Sequence, residues 1–400
     1  MAHSDSRRRR RARQPPIRSA VQTDTREFAA QPAFRFADAV LLLAIVLVAF
    51  GLRAVYVHQM SANPLFAHPV MDELYHDQWA QSIVAGESFV DGPYFRAPLY
   101  PAFLALIYKI FGHGYMAPRI VQAVLGSLSC GLLFLIGRQV FGRAVAGVAG
   151  FFAAGYWMLI YFDGELLIPS LIIFLDLLLL LLLIYAARAP GKLLYAAAGV
   201  VLGLSAIARP NILLLAPLLA ACPLVIHRAT RKRSLAYGGL LALGCVAMIA
   251  PITVRNYVVG RDVVLVSSQA GVNFYIGNNP KSDGHTAIVP GTPGGWWEGY
   301  HASIERAEQA AGRSLKPSEV SRYYFSQAAD FITEQPTRFV ELFWRKLRLF
   351  WTHDEVSNNK GIHFWTERFA PVMTYLPIGF GVVGPLGLLG LILCCRFPAE

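Results

Sequence analysis

The chain has 400 residues, of which 55% are hydrophobic and only 15% are charged, and its mean hydropathy is +0.44. A soluble globular chain carries about 25% charged residues, so this composition excludes an ordinary water-soluble domain and predicts a polytopic membrane protein. The net charge of +11 does not favour nucleic acid binding, because basic residues crowd the N-terminal tail and short loops between apolar spans, where they usually set topology.

Apolar runs of about 20 residues predict eight membrane-spanning helices after a basic cytoplasmic tail, residues 1–36, that we expect to be disordered. The predicted spans are 37–57, 117–137, 144–162, 166–186, 193–208, 211–226, 236–254 and 373–394. The apolar stretch 98–112 is short and predicts a membrane-surface or re-entrant helix.

Basic loops orient these spans. From a cytoplasmic N-terminus, the connections 138–143, 188–192 and 227–233 are basic and cytoplasmic, as the positive-inside rule requires. Arg209 is the exception, because it is predicted to face outward.

Two hydrophilic segments are predicted to lie outside the cytoplasm. The loop 58–97 follows the first span, and the segment 255–370 is long enough to fold as a small mixed domain, with Gly/Pro-rich loops followed by helices. The predicted domains are the tail 1–36, a transmembrane bundle 37–254, the outer domain 255–370, and a last span with a short cytoplasmic end, 371–400.

Asp72 and Glu73 are adjacent carboxylates just beyond the first span. Such a pair suits proton abstraction at a membrane surface. Because neighbouring side chains point in different directions, one carboxylate would act as a general base while the other holds the loop or a metal. A solvated acidic pair is the alternative, but nearby Tyr75 and Trp79 make the segment more typical of a site.

Arg209 and Arg255 close two spans at the predicted outer face. A guanidinium group matches phosphate oxygens bidentately, so both are candidates to hold an anionic lipid carrier. The alternative is that they extend to ordinary lipid phosphates.

Three further carboxylates lie in or near the spans. Asp163 and Glu165 occupy a short outer turn and could face the same cavity as Asp72. Asp176 lies within a span, where a charge costs at least ~2.5–3.5 kcal/mol. It marks either an ion pathway or a neutral, hydrogen-bonded structural aspartate.

Two polar stretches in the outer segment carry residue types that bind sugars. Asn278 lies in Gly277-Asn-Asn-Pro280, and Glu355 and Asn358 lie between Trp351 and Asn359. An ordinary turn and a polar loop are the alternatives. The sequence has no Walker loop and no cytoplasmic domain large enough to bind a nucleotide, so an outward-facing site would use a substrate delivered through the membrane.

The chain resembles the GT-C class of polytopic glycosyltransferases, in the branch of the protein O-mannosyltransferases and lipid A aminoarabinose transferases (glycosyltransferase family 39-like). The resemblance covers residues 37–395, with fewer spans than is usual for the class, as in a short or truncated member. It rests on Asp72-Glu73 followed by Tyr75, on Arg96-Ala-Pro-Leu-Tyr-Pro101, and on equivalents of Ala208-Arg-Pro-Asn211, Arg255-Asn256, Gly277-Asn278 and Phe350-Trp351 to Asn359.

This resemblance implies an all-α, GT-C-like helix bundle in the bacterial inner membrane, with a periplasmic active site. A polyprenyl-phosphate sugar would be the donor, a lipid, glycan or protein the acceptor, and transfer would invert the sugar. Asp72 would deprotonate the acceptor, Arg209 and Arg255 would hold the phosphate, and Glu165 would shape the acceptor side. The residues expected to contact acceptor or sugar are Tyr75, Arg96, Tyr100, Glu165, Asn278, Glu355 and Asn358.

A divalent metal stays open, since only some members of the class use one, and no other cofactor is expected. Two other functions compete with sugar transfer. A transporter or lipid flippase should show paired halves with broken helices, which the sequence lacks. A non-catalytic scaffold would bind a protein through residues 255–370.

Overall fold

Helices make up most of the chain described by the computed structural model, which covers residues 33–353, 355–357 and 359–396. Within those residues the only β pairing is an isolated bridge between Tyr156 and Ile378. The predicted all-α architecture is confirmed. Most of the basic tail lies outside the described residues.

In chain order the helices are α1 (Phe36–Met60), α2 (Pro64–Ala67), α3 (Met71–Ala85), α4 (Leu99–Phe111), α5 (Met116–Phe141), α6 (Arg143–Ala154), α7 (Trp157–Asp163), α8 (Pro169–Arg188), α9 (Lys192–Ala208), α10 (Ala216–Ile226), α11 (Arg231–Gly260), α12 (Ala270–Gly277), α13 (Trp296–Ala311), α14 (Pro317–Glu334), α15 (Pro336–Phe350), α16 (Ile362–Phe369) and α17 (Phe380–Arg396). Among the described residues, α1, α5, α8 and α11 are long and apolar enough to cross a membrane.

The prediction that each span is a single helix is wrong for one of them. Residues 144–162 divide between α6 and α7 at Gly155, because the chain turns there to let the Trp157 N–H donate to the Ile378 carbonyl. The short apolar stretch 98–112 is α4, with 13 residues. Each of the other predicted spans overlaps one of the helices given above.

Close packing of α9 against α11 depends on glycine. A Cβ atom on Gly199 would lie 2.2 Å from the Leu241 carbonyl oxygen, and one on Gly244 would lie 2.7 Å from that of Ala196. Small residues at such contacts are typical of membrane helices, which gain stability from packing rather than from water exclusion.

Large apolar side chains stay exposed along the spans. Leu47 is 59% exposed, Val246 is 58% and Leu391 is 65%. Such surface is unfavourable in water but matches lipid tails, which agrees with a membrane protein.

The two ends of the bundle carry different charged groups. Where α1 begins, Asp38 lies 3.0 Å from Arg138 and 2.6 Å from Arg143, and we call this the Asp38 end. The opposite end, where α1 finishes and α5 begins, contacts α3 and is called the Asp72 end.

The outer segment is tied to the first outer loop through Asn256 at the end of α11. Its side chain accepts a hydrogen bond from the Tyr94 N–H (3.0 Å) and donates to the carbonyls of Val264 and Val266. Within this segment, α12 packs against α14 through Gly271, whose N–H donates to the Ser321 hydroxyl. The division of the chain into domains stays a prediction.

Candidate active site

Asp72 and Glu73 lie in the first turn of α3, and their side chains enter different surroundings. Val70 before them is extended, and Met71 has a φ of 52°, a left-handed conformation that is strained for a residue with a Cβ atom. The Asp72 carboxylate is 21% exposed, whereas that of Glu73 is 0% exposed. The start of α3 therefore presents one carboxylate at the surface and buries the other.

Asp72 forms an ion pair with Arg96, whose Nη2 lies 2.7 Å from Asp72 Oδ1. The nearby Asn359 side chain also favours the ionised form of Asp72. Burial alone would raise the pKa of Asp72, but the charge and hydrogen bond of Arg96, with help from Asn359, lower it overall. Asp72 is thus an ionised carboxylate at neutral pH that is accessible from the surface.

Glu73 and Glu165 share one buried lysine. Lys360 Nζ lies 2.5 Å from Glu73 Oε2 and 2.6 Å from Glu165 Oε2, and the three side chains are at most 7% exposed. The second oxygen of Glu73 accepts a hydrogen bond of 2.8 Å from the Leu166 N–H. We call Glu73, Glu165 and Lys360 the shared-lysine cluster; it joins α3, the turn before α8 and the loop before α16.

The two carboxyl groups of this cluster hold one proton between them. Burial raises the pKa of Glu165, and the negative charge of Glu73 raises it further. Burial also acts on Glu73, but Lys360 and a hydrogen bond with Glu165 outweigh it and lower the pKa of Glu73. Glu165 therefore keeps a proton at a pH where Glu73 is ionised, and the cluster is neutral overall.

Side chains of α4 and α5 hold the turn that carries Glu165. Arg119 Nε donates to the Gly164 carbonyl at 2.7 Å, and Gln122 donates to the Glu165 carbonyl at 2.6 Å. The Tyr100 hydroxyl in turn donates to Gln122 at 2.5 Å. Tyr100 was predicted to contact sugar. Because its side chain is 0% exposed, it instead helps to hold the turn that carries Glu165.

A second buried ion pair fixes the same turn to α1. Arg53 Nε lies 2.6 Å from Asp163 Oδ2, with side-chain exposures of 1% and 5%. Gly126 of α5 makes room for the pair, since a Cβ atom there would lie 1.9 Å from Asp163 Oδ2. Asp163 is therefore a structural partner of Arg53.

Aromatic rings surround Tyr75, one turn beyond Asp72. Its ring centroid lies 5.2 Å from that of Phe89, 5.8 Å from Trp79 and 5.6 Å from Trp297, and the Arg96 guanidinium lies 5.3 Å above it. This cluster joins the first outer loop to α13. Tyr75 and Trp79 are each 2% exposed, so their rings pack against protein, and sugar contact by Tyr75 stays a prediction.

His76 is neutral in this setting. Burial and the nearby Arg96 charge lower its pKa to about 4, and its Nδ1–H donates to the Leu166 carbonyl at 3.2 Å. It therefore adds a hydrogen bond to the turn that holds Glu165, and no charge.

Arg255 contacts the first outer loop. Its guanidinium donates to the carbonyls of Val90 (3.1 Å) and Gly92 and lies 3.9 Å above the Tyr94 ring. These contacts hold the loop in place. Phosphate binding by Arg255 stays a prediction.

Arg209 lies exposed at the end of α9, in extended backbone. Ile207, two residues earlier, packs in one hydrophobic cluster with Ala97, the neighbour of Arg96. Arg209 is thus carried on the same end of the bundle as Arg96, and its phosphate role also stays a prediction.

Asp176 is hydrogen-bonded between two helices. Its carboxyl group accepts from the Ser205 hydroxyl of α9 at 2.5 Å. This contact favours the structural interpretation over an ion pathway.

The remaining predicted residues lie in the outer segment. Asn278, at the end of α12, donates to the Phe274 carbonyl and accepts from Lys346, so it stabilises a helix end. Glu355 is partly buried, which raises its pKa. Asn358 lies outside the described residues.

Sequence reasoning missed Lys360. The polar stretch predicted to contact sugar ends at Asn359, one residue before Lys360. Glu73, which binds Lys360, lies 287 positions away in the sequence. The sequence signal that could have found Lys360 is weak, because it is a single lysine in a loop between two amphipathic helices. Among the residues described, no group of three or more His, Cys, Asp or Glu side chains is arranged to hold a metal ion.

Residues 95–254 match the family model described as dolichyl-phosphate-mannose-protein mannosyltransferase. The resemblance to the GT-C class is confirmed. The match supports a membrane glycosyltransferase of this type; its range includes Arg96, Glu165 and Arg209 but not Asp72 or Lys360. A search among curated protein sequences gave no match.

Proposed function

We propose that the chain transfers a sugar from a polyprenyl-phosphate carrier to a hydroxyl group of a lipid, glycan or protein, with inversion at the sugar. The observation that supports this best is the state of Asp72, an ionised and partly exposed carboxylate held by Arg96. Such a group can accept a hydroxyl proton from an acceptor that approaches the surface of the bundle.

The proposed step is a single displacement. The acceptor hydroxyl gives its proton to Asp72 while its oxygen forms a bond to the anomeric carbon. The bond from that carbon to the phosphate oxygen breaks, and the polyprenyl phosphate leaves with the electron pair. Glu73 supports the start of α3, and Arg209 and Arg255 would bind the departing phosphate.

In this proposal the Asp72 end faces the periplasm of a bacterial inner membrane. The basic connections 138–143 and 188–192 follow the ends of α5 and α8 at the Asp38 end, which the positive-inside rule assigns to the cytoplasm.

The donor class provides the test. We expect the purified protein in lipid vesicles to form a new glycosidic bond from a polyprenyl-phosphate-linked sugar and none from the matching nucleotide sugar, with thin-layer chromatography and mass spectrometry as the readout. Movement of lipid or solute across the vesicle without a new glycosidic bond would instead support a flippase or transporter.

A further inference from the structure

Helix α15, Pro336–Phe350, turns three different faces to its surroundings. One face packs on the protein, since Leu342 is 6% exposed and Lys346 Nζ donates to the Gly277 carbonyl and to the Asn278 side chain. The other two faces point away from this contact, so the helix lies on the surface of the outer segment.

Large apolar side chains occupy the second face. Val340, Phe343 and Trp344 are three or four residues apart, a spacing that places them side by side on a helix. They are 50%, 54% and 53% exposed, and we call them the apolar stripe. Contiguous exposed apolar surface of this kind is unfavourable in water and marks a contact with another apolar phase.

Arginines form the third face, beside the apolar stripe. Arg338, Arg345 and Arg348 follow one another at helical spacing and are exposed, with Glu341 as the acidic residue among them. Arg338 donates to the Pro280 carbonyl at 3.0 Å. The arrangement of arginines next to apolar side chains matches a bilayer surface, where anionic headgroups lie above acyl chains.

The end of α15 joins this surface to the last predicted membrane span. The rings of Phe350 and Trp351 each lie 5.7 Å from that of Phe380, the first residue of α17. Helix α17 is apolar, and its Leu391 is 65% exposed. The apolar surface of α15 is therefore continuous with surface that suits lipid tails, which favours lipid over a protein partner as its occupant.

We propose that α15 is an interfacial helix that lies on the outer surface of the membrane. The apolar stripe enters the boundary between headgroups and acyl chains, and Arg345 and Arg348 bind anionic phospholipid headgroups. This inference goes beyond the proposed function and does not depend on sugar transfer.

Quenching of Trp344 by bromine tests the depth of the apolar stripe. The full-length protein is placed in nanodiscs of phosphatidylcholine and phosphatidylglycerol, with and without bromine atoms on the acyl chains. The Trp344 signal is the difference in fluorescence between wild type and Trp344→Phe. We expect bromine to quench about half of that signal or more, because an interfacial ring lies within about 5–10 Å of the acyl boundary. A Trp344 signal that bromine leaves unchanged would overturn the proposal, whether water or a second copy of the chain covers the stripe.

Backbone hydrogen exchange, read by mass spectrometry, tests the arginines. In wild type, the α15 amides should exchange more slowly in nanodiscs that contain phosphatidylglycerol than in phosphatidylcholine alone. Combining Arg345→Gln with Arg348→Gln should speed this exchange about 10–30-fold in the anionic nanodiscs, since each basic residue near such a surface contributes a factor of about 5.

The matched control combines Arg313→Gln with Arg322→Gln, which removes two exposed arginines of the outer segment outside α15. Its α15 amides should exchange as in wild type. Equal exchange of wild-type α15 in the two lipids would contradict headgroup binding by the arginines, and this comparison needs no variant to fold.

Discussion

The two ends of the bundle combine acidic and basic side chains in opposite numbers. At the Asp38 end, one carboxylate is shared by two arginines, Arg138 and Arg143. At the Asp72 end, one lysine is shared by two carboxyl groups, Glu73 and Glu165, which hold one proton between them. A carboxylate with two cations keeps a partner when one cation is lost, whereas a single lysine has no substitute. The first arrangement therefore tolerates the loss of one of its two arginines, whereas the second depends on its single lysine.

The largest expected difference in stability between the two ends follows from replacing one arginine at each end. Arg53→Met leaves the buried Asp163 carboxylate without its partner, and we expect a loss of about 3–5 kcal/mol in unfolding free energy. Arg143→Met removes a side chain that is 41% exposed and leaves Arg138 on Asp38, so we expect a much smaller loss. Thermal unfolding in detergent compares the two; equal losses would contradict the proposed redundancy of the Asp38 end.

The shared-lysine cluster should respond non-additively. Glu73→Gln and Glu165→Gln each leave one carboxylate for Lys360, so each should cost about 1 kcal/mol. The double variant leaves a buried ammonium group without an anion and should cost about 3 kcal/mol or more. The same unfolding measurement checks this, and a double loss equal to the sum of the single losses would mean that the carboxylates do not share the lysine.

A further expected effect concerns the pH dependence of stability. The folded protein keeps a proton on Glu165 that the unfolded chain loses above its ordinary pKa of 4.5, so stability should fall as pH rises above that value, by up to about 1.4 kcal/mol per pH unit. The lowered pKa of Glu73 acts below 4.5 and leaves this range unaffected. Melting temperatures from about pH 5 to about pH 8 should fall less steeply in Glu165→Gln than in wild type. Parallel slopes would place the proton elsewhere.

The helix bundle could be predicted because a membrane span has a length and an apolar composition that one stretch of sequence carries by itself. The division of residues 144–162 could not, since it depends on a backbone bond from Trp157 to the distant Ile378. Local sequence therefore predicts where a membrane span lies better than where its helix is interrupted.

The residues of the candidate site also divide into those that the sequence predicts and those that it does not. Asp72 and Glu73 stand out because two charges interrupt a largely apolar chain. Their pairings could not be predicted, because Arg96, expected to contact acceptor or sugar, and Lys360, which was missed, become their partners only through folding. Arg53 carried a signal that composition alone hides, since an arginine inside an apolar span usually has a partner in the bundle interior, here Asp163.

The central claim is that the Asp72 carboxylate takes the acceptor proton, and Asp72→Asn tests it most directly. Glu319→Gln is the control, because Glu319 also lies 2.7 Å from an arginine, Arg313, but in an exposed pair of the outer segment. At equal amounts of folded protein, we predict that Asp72→Asn slows transfer from a polyprenyl-phosphate sugar about 10²–10⁴-fold and that Glu319→Gln equals wild type. Transfer by Asp72→Asn at the wild-type rate would contradict the account.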